Sequence, residues 1–109
     1  MGKVELTEKD NGSRVQLEVG EDLVLRLEAI PGAGYIWSVT VDIGRILSPV
    51  GEPVFERRDP GLMGGVEYQV FTYKVISAGT LPLRYEYRRP WEKQKPPERE
   101  FTVTLVAGE

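Results

Sequence analysis

Residues 81–91, LPLRYEYRRPW, decide the fold class of this sequence. Apolar side chains occupy every second position up to Tyr87, and Arg84, Glu86 and Arg88 alternate with them. A period of two is typical of a β-strand that buries one face. Proline has no backbone N–H for a sheet ladder, so we expect the strand to end before Pro90. A tryptophan then follows in a polar connection, where a large apolar side chain needs an explanation.

The same alternation predicts strands along most of the chain, and no segment has the pattern of a helix. The predicted strands cover residues 4–7, 14–19, 23–29, 35–41, 52–57, 66–77, 81–87 and 99–107. Residues 43–51 are predicted to form an irregular connection, and Asn11-Gly12 is predicted to form a tight turn. About eight short strands at this spacing indicate an all-β, antiparallel β-sandwich.

Composition limits the function classes. The chain has 109 residues, 40% hydrophobic and 28% charged, which suits a single globular domain over residues 1–109. Its net charge of −3 argues against a nucleic-acid partner. The chain contains no cysteine and no histidine. This excludes disulfides, thiol nucleophiles, Cys/His zinc sites and a Ser-His-Asp triad. We therefore expect no catalytic residues, no metal and no cofactor, and a protein that is not an enzyme.

Targeting signals are not evident. No apolar run approaches the roughly 20 residues of a membrane helix, so we expect no membrane partner. The N-terminus has no apolar region of a signal peptide. The expected compartment is the cytoplasm for the chain as given, or an exported location if a leader was removed. We expect a monomer, although exposed edge strands would permit a dimer.

Three connections differ from simple turns. The first loop (residues 31–34) has no charge, the middle loop (58–65) carries two large apolar residues among glycines, and the third loop (89–98) begins with Arg89-Pro90-Trp91. They join predicted strands three and four, five and six, and seven and eight. If consecutive strands run antiparallel, all three loops lie at one end of the sandwich. Such a cluster is a common recognition surface, and tryptophan and arginine often dominate interface energetics.

These motifs resemble a known family, the chagasin-like inhibitors of papain-type cysteine proteases. The family pattern contains Asn-Pro-Thr-Thr-Gly-aromatic-x-Trp, a glycine-rich middle loop, and Arg-Pro-Trp or Arg-Pro-Phe. The corresponding stretches here are Ile30-Pro31-Gly32-Ala33-Gly34-Tyr35-Ile36-Trp37, Gly61-Leu62-Met63-Gly64-Gly65 and Arg89-Pro90-Trp91. The resemblance covers nearly the whole chain in order and spacing.

The resemblance implies an immunoglobulin-like sandwich whose three loops form a wedge. The first loop would enter the cleft of a papain-like cysteine protease near its catalytic cysteine and histidine, and the other two would hold the walls. The protein would then be a reversible inhibitor that occludes the active site. The protease-binding residues implied are Pro31, Gly32, Ala33, Gly34, Tyr35, Leu62, Met63, Gly64, Gly65, Arg89, Pro90 and Trp91.

The first loop departs from the family pattern. Ile30, Gly32 and Ala33 stand where the family has asparagine and two threonines, so the threonine hydroxyls are missing. We hypothesise inhibition that is weaker or differently targeted than in typical members. The altered tip favours an alternative function, a non-inhibitory adhesion-type module that binds another protein or a carbohydrate.

Several side chains allow more than one interpretation. Trp37, Tyr85 and Tyr87 are expected in the core, because a tryptophan on a central strand is usually packing. Trp91 is either exposed for binding, which its loop position and polar neighbours favour, or folded back over the open end of the sandwich. Leu62 and Met63 either contact a partner or pack under their own loop. The exposed arginines, Arg57, Arg58, Arg88 and Arg89, are also compatible with ordinary solvated charges.

Overall fold

The computed structural model describes residues 2–57 and 66–109, and within them nine strands form two sheets packed face to face. The strands are β1 (Lys3–Leu6), β2 (Arg14–Glu18), β3 (Asp22–Ala29), β4 (Ile36–Val39), β5 (Leu47–Pro49), β6 (Val54–Arg57), β7 (Glu67–Val75), β8 (Gly79–Arg88) and β9 (Arg99–Gly108). Two short 3-10 turns lie at Glu8–Asp10 and Pro31–Ala33. The predicted all-β sandwich is confirmed.

Each sheet is mostly antiparallel and carries a parallel pair at one edge. The first sheet has the order β1-β3-β7, with β5 and β6 both pairing with β7; the second has the order β2-β9-β8-β4. The pairs β1–β3 and β2–β9 are parallel. The connection that contains the predicted Asn11-Gly12 turn crosses from one sheet to the other. The Asn11 side-chain oxygen accepts a hydrogen bond from the Thr102 N–H at 2.8 Å, so the turn is anchored on β9.

One prediction about the strands was wrong. Residues 43–51 are not entirely irregular, because β5 lies within them and pairs with the end of β7. This strand is three residues long and Leu47 is its only buried residue, so it has no period-two pattern to detect. Pro49 can end an edge strand because an edge has no second partner for its nitrogen. Both β5 and β6 run antiparallel to β7, so together they act as one interrupted edge strand.

The core lies between the two sheets and is built from the inward residues of the alternating pattern. On β8, the buried residues are Leu81, Leu83, Tyr85 and Tyr87. Trp37, Tyr85 and Tyr87 are all buried, as expected, although Trp37 lies on β4, which is an edge strand of its sheet and not a central one. In the described part of the chain, every buried side-chain nitrogen and oxygen has a hydrogen-bond partner.

Strand directions place the loops of interest together. Ala29 at the end of β3 pairs with Glu67 at the start of β7, and Glu67 also pairs with Arg57 at the end of β6. Ile36 at the start of β4 pairs with Arg88 at the end of β8. The first loop, the third loop and both flanks of the middle loop therefore lie at one end of the sandwich, which we call the loop end. The inference from strand alternation is confirmed for these described residues, because β5 and β6 run in the same direction.

Neither a metal-binding cluster nor a membrane-spanning helix is found in the described residues. Across residues 2–57 and 66–109, no cluster of acidic side chains has the arrangement of a metal site. The described segments include no helix of the length and apolarity that a membrane crossing requires.

Candidate functional site

The first loop is a closed turn. Ile30 and Tyr35 form an antiparallel bridge at its base, and Pro31–Ala33 forms a 3-10 turn between them. The Gly34 N–H donates to the Pro31 carbonyl at 2.9 Å. Gly34 has a φ of 88°, in the left-handed region that favours glycine. The loop therefore projects as a compact turn rather than as an extended strand.

The third loop is held by its own hydrogen bonds. The Glu92 N–H donates to the Arg89 carbonyl at 3.0 Å, and the Arg88 guanidinium donates to the Lys95 carbonyl at 2.9 Å. The Glu98 N–H donates to the Tyr87 carbonyl on β8 at 2.9 Å and closes the loop. The Glu92 carboxylate also lies 3.1 Å from the Lys95 ammonium. These bonds limit the conformations available to the residues after Pro90.

Arg89 connects the third loop to the first. Its Nε donates to the Ala33 carbonyl oxygen at 3.0 Å, and its guanidinium carbon lies 4.6 Å from the centre of the Tyr35 ring. A cation over an aromatic face at this distance is attractive. Of the two interpretations of Arg89, an ordinary solvated charge is therefore wrong. Its side chain clamps the two loops together.

Trp91 makes the second contact between the loops. Its side chain is 69% exposed, so it does not fold back to cap the core. The edge of its ring instead lies over Gly34. A Cβ atom at Gly34 would stand 2.5 Å from Trp91 Cη2, closer than two carbon atoms can pack. A glycine is thus required here both by its φ and by the tryptophan.

An aromatic cluster supports the two loops from below. The Tyr35 and Tyr87 rings stack with centres 5.4 Å apart, and the Trp37 and Tyr87 rings lie 5.0 Å apart. The Arg99 guanidinium carbon lies 5.5 Å from the Trp37 ring centre and 5.4 Å from that of Tyr87. The Ile30 N–H donates to the Tyr87 hydroxyl at 3.0 Å. Burial raises the pKa of Tyr87, and this hydrogen bond opposes the shift.

Sequence reasoning missed several supporting residues. Arg99 forms an ion pair with Glu8, whose carboxylate also accepts from the Glu28 N–H at 2.7 Å. Gln69 on β7 is buried and hydrogen-bonded to the backbone of Trp37. No motif marks these residues, and Gln69 lies in a segment that also contains other polar residues, Glu67, Thr72 and Lys74.

Most of the predicted site residues are brought together. Pro31, Gly32, Ala33, Gly34 and Tyr35 lie at the loop end beside Arg89, Pro90 and Trp91, as the contacts of Arg89 and Trp91 establish. Leu62, Met63, Gly64 and Gly65 lie outside the described residues. That these residues bind a protease stays a prediction.

Comparison with known proteins identifies the family. Residues 16–105 match the chagasin family of peptidase inhibitors, designated I42. The chain belongs to this family. The sequence predicted a chagasin-family inhibitor of cysteine proteases that is not an enzyme. The comparisons confirm this prediction.

Relatives and a solved structure agree with this assignment. The chain is 33% identical over 102 residues to Amoebiasin-1 of Entamoeba histolytica, covering 92% of this chain and 95% of that protein. It is 30% identical over 109 residues to Chagasin of Trypanosoma cruzi, covering 94% and 96% respectively. The crystal structure of the cysteine protease inhibitor EhICP2 from Entamoeba histolytica superposes with a TM-score of 0.88 at 25% identity, covering 99% of this chain and 97% of that chain.

Proposed function

We propose that this chagasin-family protein inhibits papain-like cysteine proteases reversibly, by inserting the loop end of the sandwich into the active-site cleft. The observation that carries the proposal is the bond from Arg89 to Ala33, which joins the first and third loops into one projecting surface. Trp91 is exposed beside them as an apolar anchor. The first loop enters the cleft and the third loop lies along a wall.

The shape of the first loop explains how a protease is blocked without cutting its inhibitor. Peptide cleavage requires the scissile carbonyl to lie close to the nucleophile in a defined orientation. The bridge between Ile30 and Tyr35 and the turn at Pro31–Ala33 hold the chain in a tight curve. A peptide bond in that curve lies off the path of an extended substrate, so the cleft is filled and the bond survives.

The preformed contacts favour tight association. Ordering loops and side chains on binding costs free energy, and a surface that is already ordered avoids part of that cost. The clamp of Arg89 on Ala33 and the bonds within the third loop order this surface before the protease arrives. Trp91 can then bury its ring against the wall of the cleft, since desolvated tryptophans are among the residues that contribute most to interface energetics.

The side chains at the tip of the first loop determine the expected strength of inhibition. Gly32 and Ala33 carry no hydroxyl, and a Cβ added at Gly32 would meet no atom within 4 Å. The tip is slim enough for a narrow cleft but offers only backbone groups to the catalytic centre. Inhibition of papain is accordingly weaker than that of a member with threonines at these positions.

Titration of active papain with this protein tests the proposal. Residual hydrolysis of a small fluorogenic peptide should fall with added protein, and mass spectrometry should find the chain intact afterwards. Trypsin, a serine protease, is the negative control. A correctly folded chain that leaves papain fully active at high micromolar concentration would reject the proposal and favour the adhesion-type module suggested by the altered tip.

A further inference from the structure

Apart from the aromatic side chains, Gln69 is the one buried polar or charged side chain in the described part of the chain, with 5% of its surface exposed. Both ends of its amide are used. The Trp37 N–H donates to Gln69 Oε1 at 2.8 Å, and Gln69 Nε2 donates to the Trp37 carbonyl oxygen at 3.0 Å. Gln69 lies on β7 in one sheet and Trp37 on β4 in the other, so these bonds cross the sandwich.

The two bonds replace a missing strand. In the second sheet β4 is an edge strand, with β8 on one side only. Backbone groups of alternate residues along an antiparallel strand point away from its partner. The N–H and carbonyl of Trp37 are such groups, and the Gln69 amide bonds them as a peptide unit of a neighbouring strand would. The edge of β4 is thereby tied to the opposite sheet.

The two hydrogen bonds between Gln69 and Trp37 lie on strand residues close to the loops in sequence. Trp37 comes two residues after Tyr35, at the end of the first loop. Its pairing partner Tyr87 comes two residues before Arg89, at the start of the third loop. Gln69 follows the middle loop, two residues into β7. A displacement of Gln69 relative to Trp37 would therefore change the distance between the start of β7 and the first and third loops.

An apolar side chain would satisfy the core better than a glutamine if packing were the only requirement. A buried amide costs free energy unless each of its groups is hydrogen-bonded, and a fully bonded one specifies geometry. Aliphatic and aromatic side chains make up the rest of the buried core in the described residues. The glutamine thus has a geometric role that a leucine or methionine could not fill.

We propose that Gln69 is a positioning residue for inhibition, which sets the position of the first and third loops relative to the start of β7 without touching the protease. The inference rests on the proposed function. Because Gln69 is buried, a direct contact with the protease is not available to it. Its effect on affinity must pass through Trp37 and the loops that flank it.

Gln69→Met tests the proposal, because methionine has a similar length and no hydrogen-bonding amide. We expect the inhibition constant for papain to rise roughly tenfold or more. A tenfold change corresponds to the free-energy contribution of about one hydrogen bond, and the variant loses the two bonds to Trp37. Hydrogen exchange of the Trp37 backbone amide should accelerate in the free protein. The matched control is Val75→Ala, on the same strand near the opposite end, where the side chain is 1% exposed. Both variants are measured well below their melting temperatures.

If Gln69→Met does not fold, Gln69→Glu replaces it. A protonated carboxyl group can both accept and donate, so its affinity relative to the unmodified chain should recover as the pH falls. The proposal is overturned if the inhibition constant of Gln69→Met matches that of the Val75→Ala control. It is also overturned if the ratio of the inhibition constants of Gln69→Glu and the unmodified chain does not change with pH, as for Val75→Ala. Gln69 would then be a purely structural residue. If the unmodified chain fails to inhibit papain, the proposed function itself is wrong and this inference falls with it.

Discussion

Arg89 donates from Nε to the carbonyl oxygen of Ala33 at 3.0 Å, and this hydrogen bond joins the first loop to the third. The same guanidinium lies over the ring of Tyr35. Both interactions depend on the planar shape of the group rather than on its charge alone. The loop end is therefore stabilised from within by a residue that, judged from its motif alone, would be assigned to the protease contact.

Arg89→Lys should weaken inhibition of papain even though it keeps the positive charge. Lysine has no Nε donor in the position that reaches Ala33 and no plane to stack on Tyr35, so the loops lose their clamp. We expect the inhibition constant to rise by roughly tenfold, with a melting temperature close to that of the unmodified chain. Arg84→Lys, on β8 away from the loops, is the control. Full affinity in Arg89→Lys would mean that only the charge matters.

Trp91→Ala should weaken inhibition of papain by roughly 30-fold or more and leave the fold intact. Buried interface tryptophans commonly contribute about 2 kcal/mol or more. The side chain is already 69% exposed in the free protein, so its loss should change the melting temperature little. Ile76→Ala, a 45% exposed apolar residue at the opposite end, is the matched control. Equal inhibition by the two variants would place the protease elsewhere.

Gly34→Ala should impair inhibition through two separate effects. Its φ of 88° makes any side chain costly, by about 1 kcal/mol, and the new Cβ collides with Trp91 Cη2. Gly20→Ala separates the effects, because Gly20 has a φ of 98° and no atom within 4 Å of an added Cβ. Thermal unfolding should show a smaller loss for Gly20→Ala, and only Gly34→Ala should weaken binding to papain. Equal losses in stability would mean that Trp91 moves aside freely.

The architecture could be predicted because it rests on repeated local signals. The period-two pattern of residues 81–87 recurs in most other strands, and inward positions such as Leu83 and Tyr85 are buried as that pattern requires. Strand alternation then placed the first and third loops at one end. The exception was β5, which is too short for any period to appear.

The side-chain contacts within the site could not be predicted, because they depend on distances between residues far apart in sequence. Arg89 and Ala33 are separated by 56 positions, and nothing in either motif shows that one donates to the other. Gln69 lies in a run that is apolar on both faces, so its orientation could not be read from alternation. Trp91 allowed two interpretations until its exposure was known.

Ala33→Thr should strengthen inhibition of papain. The first loop lacks the hydroxyls of the family pattern, and a threonine would restore a group able to hydrogen-bond in the catalytic centre. We expect the inhibition constant to fall by a few fold. Ala33→Val, which has the same shape and no hydroxyl, is the control and should give no gain. Tight binding by the unmodified chain that Ala33→Thr leaves unchanged would contradict the account of the tip.

Two core tyrosines should determine how the fold responds to alkaline pH. Tyr73 and Tyr85 are buried and hydrogen-bond to each other through their hydroxyls. Burial raises the pKa of both above the ordinary value of 10.0; the shared hydrogen bond opposes the rise at Tyr73 and adds to it at Tyr85. The folded state therefore keeps these protons at a pH where the unfolded chain loses them.

The free energy of unfolding should fall as the pH rises into the alkaline range. A raised pKa of an acid contributes stability that is constant below the unfolded pKa, here 10.0, and is lost as the pH rises above it. The free energy of unfolding, measured with guanidinium chloride, should thus fall steeply above pH 10. The double variant Tyr73→Phe/Tyr85→Phe removes both hydroxyls without leaving either unpaired, so its stability at pH 7 should change little. Its fall above pH 10 should be shallower than that of the unmodified chain. Identical alkaline curves for the two proteins would exclude the buried pair as the cause.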